Sequence, residues 1–239
     1  INDIPVEVFY KELARYQPLV NNAKEAFADL KTGMAPGVMG LTAEDMQNFY
    51  SQLPKRLESV IWLEQSGKPG YEQAQAIAQK KFDAVQKPFT YSFGVSSDAM
   101  DYQTLLSLLL TLLCAVIAAP VFASDAQTGA QDIQLCTKNG GLRLAAAKLA
   151  AAFSITGAAY LLCGVVWILV TNALFGWEST QTSVQWLFSV TSLLPYTVGQ
   201  MEWVMLVANF LIFFAEVAFV LMASVWAKNN LTALSVALI

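Results

Sequence analysis

Polar and apolar positions are distributed unevenly along the chain. Residues 104–123 (TLLSLLLTLLCAVIAAPVFA) carry no charged side chain. At 1.5 Å of rise per residue, such a stretch spans the ~30 Å hydrocarbon core of a bilayer. Three further apolar runs follow, at about 146–173, about 203–227 and from Leu231 onward. A soluble core helix seldom stays uncharged on every face for that length, so the runs predict membrane helices. Residues 1–103 have a different pattern. Val6, Phe9, Tyr10 and Leu13 recur at helical spacing in the segment Pro5 to Arg15, and Pro18 to Leu30 continues it. Gly33 to Gly37 is a break. Thr42 is placed as an N-cap with Asp45 as its capping-box acid, and a helix from there to about Gln65 carries Pro54 as a kink. Gly67 to Gly70 forms a turn. Tyr71 to Gln86 is a further helix ended by Pro88, and Phe89 to Asp101 shows no period.

Charge follows the same division. Residues 1–103 hold ten of the fourteen Lys/Arg and thirteen of the eighteen Asp/Glu. The expected fold is all-α, a polytopic transmembrane bundle (104–239) with a helical extracytoplasmic domain (1–103) before the first visible membrane helix. Tyr50, Trp62, Tyr71 and Phe82 are candidate core of that domain. The chain begins at Ile1 without methionine and ends inside the nine-residue apolar run LTALSVALI, which reads as a piece of a longer protein.

Basic residues in the short connections orient the runs. Lys138, Arg143 and Lys148 lie in 124–148, and Lys228 lies in 228–230. The connection 174–202 has neither Lys nor Arg. The first two connections are therefore expected in the cytoplasm, and 174–202 outside together with residues 1–103. Val184 to Leu194 is amphipathic enough to lie along the membrane surface. Trp167, Trp177, Trp186, Trp203 and Trp226 fall where an aromatic belt would.

Chemistry is sparse. The chain has no histidine, which removes the commonest general base and metal ligand. Its three cysteines form no CxxC, so neither a thiolate metal site nor a disulfide framework is expected. A net charge of −4 without a basic patch excludes nucleic acid as a partner. No GxxxxGK[ST] phosphate loop is present, so the chain has no ATPase motif of its own. Glu216, mid-run, is the one ionisable group expected at membrane depth. It is a candidate for a transport path with Asn209, or for a hydrogen bond to Asn209 or Asn172. Pro120 is expected to kink the first run near its cytoplasmic end. Ser154, Gly157, Ala158 and Gly164 give the second run a small-residue face suited to helix packing.

The connection from Phe122 to Phe153 is the most specific segment. It contains Asp125, Gln127, Thr128-Gly129, Ile133, Leu135, Cys136-Thr137-Lys138-Asn139-Gly140, Arg143 and Ala147-Lys148. This order resembles the membrane (permease) subunit of exporter-type ATP-binding-cassette transporters of Gram-positive bacteria. In that family an acidic residue, Thr-Gly, an amphipathic stretch, small-Thr-Lys-x-Gly-Arg and Ala-Lys join the second and third membrane helices. Gly141 stands at the arginine position here, and Arg143 follows. Ser224-Val-Trp-Ala-Lys228-Asn229 is a weaker likeness, and the two cover about 104–239. The resemblance implies a transporter subunit rather than an enzyme, in a cell membrane. A partner ATPase would bind ATP and Mg. A second permease, the same or a sister chain, would complete the assembly. It implies alternating-access export of an apolar or amphipathic substrate such as a peptide, antibiotic or lipid. The physical reading is a short helix, Asp125 to Thr137, lying parallel to the membrane. Its acid would sit near the helix start, Ile133 and Leu135 would contact the ATPase, and Gly140 would allow the return. The alternative is a membrane-anchored extracytoplasmic sensor or binding protein. An intramembrane enzyme is disfavoured by the absence of paired Asp, Ser-Lys or metal clusters.

Overall fold

The computed structural model describes residues 16–37, 41–94 and 97–237. The segment expected as a helix over Pro5 to Arg15 lies outside the described residues. Among those residues the structure is helical, with no strand and one isolated bridge, Ser183 to Thr197. In chain order the helices are α1 (Gln17–Ala23), α2 (Ala43–Gln47), α3 (Phe49–Gln65), α4 (Tyr71–Asp83), α5 (Ser97–Ala118), α6 (Pro120–Thr128), α7 (Ala130–Leu135), α8 (Leu142–Phe175), α9 (Val198–Trp226) and α10 (Asn230–Ala237). Three segments are long and apolar enough to cross a membrane: Ser97–Thr128, Leu142–Phe175 and Val198–Trp226.

The chain forms two compact units. One comprises residues 1–97 with 172–201, the other 98–171 with 202–239.

In the first unit, Thr42 and Asp45 form the expected capping box. The Asp45 N–H donates to Thr42 Oγ1 at 3.2 Å, and the Thr42 N–H donates to Asp45 Oδ2 at 2.8 Å. The helix that follows breaks at Asn48, not at Pro54. Pro54 is the sixth residue of α3, past the first turn, so its missing N–H leaves one rung of the ladder, at the Tyr50 carbonyl, unmade while the helix continues. Phe82 is fully buried, but Trp62 is half exposed and Tyr50 lies at the edge of the core. Asp45 is held below the usual carboxylate range by the Thr42 backbone N–H, then by its hydroxyl. Asp29 is held low by the Thr32 backbone N–H and hydroxyl, then by the Lys31 backbone N–H. A depressed carboxylate stabilises its turn above the unfolded pKa, and the effect disappears as pH falls through the folded value. Amide exchange at residues 29–34 and 42–46 is therefore expected to accelerate as pH drops below about 4, after correction for intrinsic exchange. Unchanged protection there down to pH 2 would show that neither cap depends on ionisation.

The stretch 176–197 departs from the expectation of a surface-lying segment. It forms part of the core of the first unit. The Trp186 ring stacks on Phe49 at 5.4 Å and meets Phe89 edge-on at 5.7 Å. Its indole N–H donates to the Phe89 carbonyl at 3.3 Å. Val184 and Val190 are fully buried. Glu25 accepts from the Ser189 hydroxyl at 2.8 Å and from the Val190 N–H at 3.1 Å, and Asn22 Nδ2 donates to the Trp186 carbonyl at 2.6 Å. Residues 90–92 pair with 182–183: Thr90 and Ser183 exchange two hydrogen bonds of 2.9 Å, and the Ser92 N–H donates to Thr182 Oγ1 at 2.9 Å. Gly94 permits the approach, since a Cβ there would come within 2.3 Å of the Phe175 carbonyl oxygen and its φ is +147°. Trp186 is consequently core, while Trp177, Trp203 and Trp226 are exposed.

In the second unit, two contacts run α5–α6 parallel to α9. The Gln103 amide donates to the Glu202 carbonyl at 2.9 Å, and Ser224 meets Ala119, Phe122 and Ala123. Helix α8 is antiparallel to both. Cys114 lies 3.8 Å from the Thr156 carbonyl, Tyr160 stacks on Phe213 at 4.6 Å, and Phe153 stacks on Phe214 at 4.4 Å. A Cβ on Gly164 would sit 2.4 Å from Leu206 Cδ1, so this glycine lets α8 and α9 approach closely.

Pro120 interrupts the first apolar helix at Ala119. Proline has no N–H, and its ring displaces the preceding turn. The buried Ser224 hydroxyl enters the gap. It accepts from Phe122 N–H at 3.1 Å and Ala123 N–H at 3.0 Å, and donates to the Ala119 carbonyl at 2.6 Å. The backbone groups released at the break are thus paired where water is absent.

Candidate functional site

The segment 124–148 turns between α6 and α8. Helix α6 continues through Thr128, so Asp125 and Gln127 belong to the end of the first long apolar segment, Ser97–Thr128. They do not start a separate surface helix. Asp125 lies in the last turn of α6, where the helix dipole disfavours an acid. Lys148 compensates: it pairs with Asp125, lies 3.4 Å from the Val121 carbonyl and sits 5.7 Å from the Phe122 ring centroid. Gln127 Oε1 accepts from the Asn230 N–H at 3.1 Å, tying α6 to the start of α10. The Thr128 hydroxyl donates to the Ser124 carbonyl at 2.8 Å. Gly129, at φ +70°, ends α6 in the left-handed conformation.

The expected helix from Asp125 to Thr137 is reduced to the six residues of α7. Ile133 and Leu135 upon it are 73 % and 61 % exposed. Residues 136–141 form a tight turn in which Thr137 Oγ1 donates to the Gln134 carbonyl at 2.7 Å. A Cβ on Gly140 would fall 1.5 Å from the same oxygen. Lys138 is exposed. Helix α8 opens at Leu142, so Arg143 and Lys148 lie on the helix, with Arg143 turned back to Asn139 Oδ1 at 3.3 Å. Beside this turn is a cleft of about 740 Å³, with the Asp125–Lys148 pair in its wall and Leu142, Leu149, Phe153 and Met222 among its apolar lining.

Glu216 and Asn209 are both half-buried on α9. Seven residues separate them, about 10 Å along the axis, so they share a face without reaching each other. No hydrogen bond joins Glu216 to Asn209 among the described residues. Asn209 lines a second cleft, of about 440 Å³, beside α5 and α9. Among the described residues, no three His, Cys, Asp or Glu side chains are grouped to hold a metal ion.

The sequence reading missed the structural use of Ser224, which it had treated only as part of a motif. The available signal was a lone serine in an apolar run parallel to one broken by proline. Asp125→Asn should destabilise the second unit by about 2 kcal/mol, because it strands the Lys148 ammonium at a largely enclosed position. Exchanging the pair (Asp125→Lys with Lys148→Asp) should restore part of that loss in detergent unfolding. An unaffected single variant would show that the pair is dispensable.

Comparison of the chain with protein-family models, with curated proteins and with solved structures gave no match.

Proposed function

We propose that the chain is the membrane-spanning permease subunit of an ATP-binding-cassette exporter, polytopic in a cell membrane and driven by a separate ATPase subunit. The observation that carries this reading is the construction of 124–148. Two apolar side chains, Ile133 and Leu135, project from a short helix whose flanks are tied to three longer ones. The Asp125–Lys148 pair binds α6 to α8, and the Gln127–Asn230 bond binds α6 to α10. Displacement of α7 by a partner would therefore be transmitted to the apolar helices and not absorbed by a slack loop. The charge pattern supports the orientation. Residues 1–97 and 172–201 share one compact unit, as two segments on the same side would, and the basic residues of the second unit cluster in 138–148 and at Lys228.

Alternating access then follows from parts already described. Closure of the ATPase pushes on α7, the α6 and α8 ends move together, and the break at Pro120 lets the first helix bend. A second permease subunit, identical or related, would complete the path. The exported substrate would be apolar or amphipathic, in keeping with the sparse charge of the apolar helices.

Affinity purification in detergent tests the reading. An ATPase subunit should co-purify with the wild-type chain and be lost from Ile133→Asp plus Leu135→Asp. Both positions are exposed, so the fold should tolerate the change. Absence of an ATPase from both samples would sink the permease reading and favour an extracytoplasmic sensor anchored by these helices.

A further inference from the structure

One face of α3 meets the segment 24–33 of the first unit. Phe49 packs on Phe27 with ring centroids 6.3 Å apart, the Ser59 hydroxyl donates to the Leu30 carbonyl at 2.8 Å, and Leu63 lies beside Gly33. Arg56 stands seven residues after Phe49 and three before Ser59, so it shares that face. Its neighbours Leu53 and Leu57 belong to the core, and Arg56 itself is only 7 % exposed. Its Nε and Nη1 are enclosed and have no hydrogen-bond partner. Of the three guanidinium nitrogens, Nη2 alone is not enclosed in this way.

The acids of the facing segment are committed elsewhere. Asp29 Oδ1 accepts from the Lys31 N–H at 2.9 Å, the Thr32 N–H at 2.7 Å and the Thr32 hydroxyl at 2.9 Å, so this carboxylate closes its own turn. Glu25 accepts from Ser189 and Val190. No ion pair among the described residues includes Arg56. A buried cation without a counter-charge is among the costliest features a core can hold. A guanidinium cannot escape that cost by losing its proton. The counter-charge must therefore come from outside this fold, and the side chain is shaped to select it. The two Nη nitrogens present parallel N–H donors whose spacing matches two oxygens of a carboxylate or a phosphate. Nη2 is the open prong of that fork. An oxyanion that seats on it brings a second oxygen to Nη1, whereas chloride engages one prong only.

We propose that Arg56 is the seat of an oxyanion site in the first unit, which takes the carboxylate or phosphate group of a small solute. The site goes beyond the export reading and does not rest on it. In the orientation of that reading, the unit that carries Arg56 faces the exterior, and the solute is sampled from there.

The test is amide exchange across 27–34 and 52–60 in the full chain in detergent, at one pH and one ionic strength. Chloride alone is compared with rising acetate and with rising inorganic phosphate. In the wild type, acetate or phosphate should slow exchange and then saturate, reaching about tenfold at ten times the dissociation constant. Whichever anion acts identifies the oxyanion as carboxylate or phosphate. Arg56→Met keeps a stem of similar bulk without the charge. It should exchange at least as slowly as the wild type in chloride, because the uncompensated cation is gone, and should ignore both anions. Arg56→Lys keeps the charge without the fork, so it should need severalfold more of the same anion. A wild type indifferent to both anions would overturn the proposal. Equal slowing in Arg56→Met would overturn it too, since the anion would then act elsewhere or through the solvent. So would faster exchange of Arg56→Met in chloride, which would mean that the guanidinium is already satisfied within the fold. Absence of a co-purifying ATPase bears on the export reading alone and leaves each of these outcomes legible.

Discussion

Trp186→Ala is expected to cost the first unit about 3–5 kcal/mol, the range for emptying a large aromatic site in a core. The indole stacks on Phe49, meets Phe89 edge-on and donates to the Phe89 carbonyl. Alanine removes all three interactions and leaves a void between Phe49, Phe89 and Val190. The remaining tethers of the connection are polar: Glu25 to residues 189 and 190, and Asn22 to the carbonyl of residue 186. These are weaker holds once water reaches them. The loss should appear in the full chain as accelerated amide exchange across 184–194 and around Phe49, with the apolar helices of the second unit unaffected. A milder variant separates packing from folding failure: Trp186→Phe keeps the stack and loses the indole N–H, so it should cost about 1–2 kcal/mol. If Trp186→Ala leaves exchange at 184–194 unchanged, the connection does not belong to that core.

A comparable effect is expected at the break in the first apolar helix. Ser224→Ala leaves the N–H groups of Phe122 and Ala123 and the carbonyl of Ala119 without their partner. Unpaired backbone groups away from water cost about 1–3 kcal/mol each. Relaxation of the helix recovers part of that, so a net loss of about 2–3 kcal/mol is expected in detergent-mediated unfolding. Pro120→Ala changes the requirement. With an N–H at position 120, the helix can run straight through and pair the same groups along its own ladder. Ser224→Ala should then cost much less in the Pro120→Ala background, giving a coupling of about 1.5–2 kcal/mol in a double-mutant cycle. Additive losses would show that the hydroxyl is not serving the break. In the export reading the same cycle carries a functional consequence. The straightened helix of Pro120→Ala should stay stable but lose transport, because the bend that follows α7 has been removed.

Much of this architecture is legible from local pattern. Long apolar stretches with few charged side chains must pair every backbone group internally if they enter a bilayer, so the three long helices follow from composition and length alone. The capping box at Thr42 and Asp45 and the turn at Gly67 to Gly70 follow from residue chemistry that acts within four positions. The break at Pro120 follows from a missing N–H, and the close helix approach at Gly164 from a missing Cβ.

Other features depend on partners distant in the chain. Nothing local to Val184 or Trp186 indicates that they pair with Phe49 and Phe89. Amphipathic segments that cover a membrane surface and those that cover a protein core have the same periodicity, and only the surface opposite distinguishes them. Asp125 reads as the start of a helix until α6 is seen to continue past it. Lys148, twenty-three residues on, is what makes an acid tolerable at a helix end. Ser224 became informative only when α9 was found parallel to the broken helix and level with the break. The cleft lined by Asp101, Thr111 and Asn209 needs α5 and α9 side by side in register, which the Gln103–Glu202 contact sets. Sequence dictates the apolar helices and their caps because those depend on backbone pairing within a few residues. Tertiary packing decides which charge, hydroxyl or ring meets which, because such contacts join residues up to about a hundred or more positions apart.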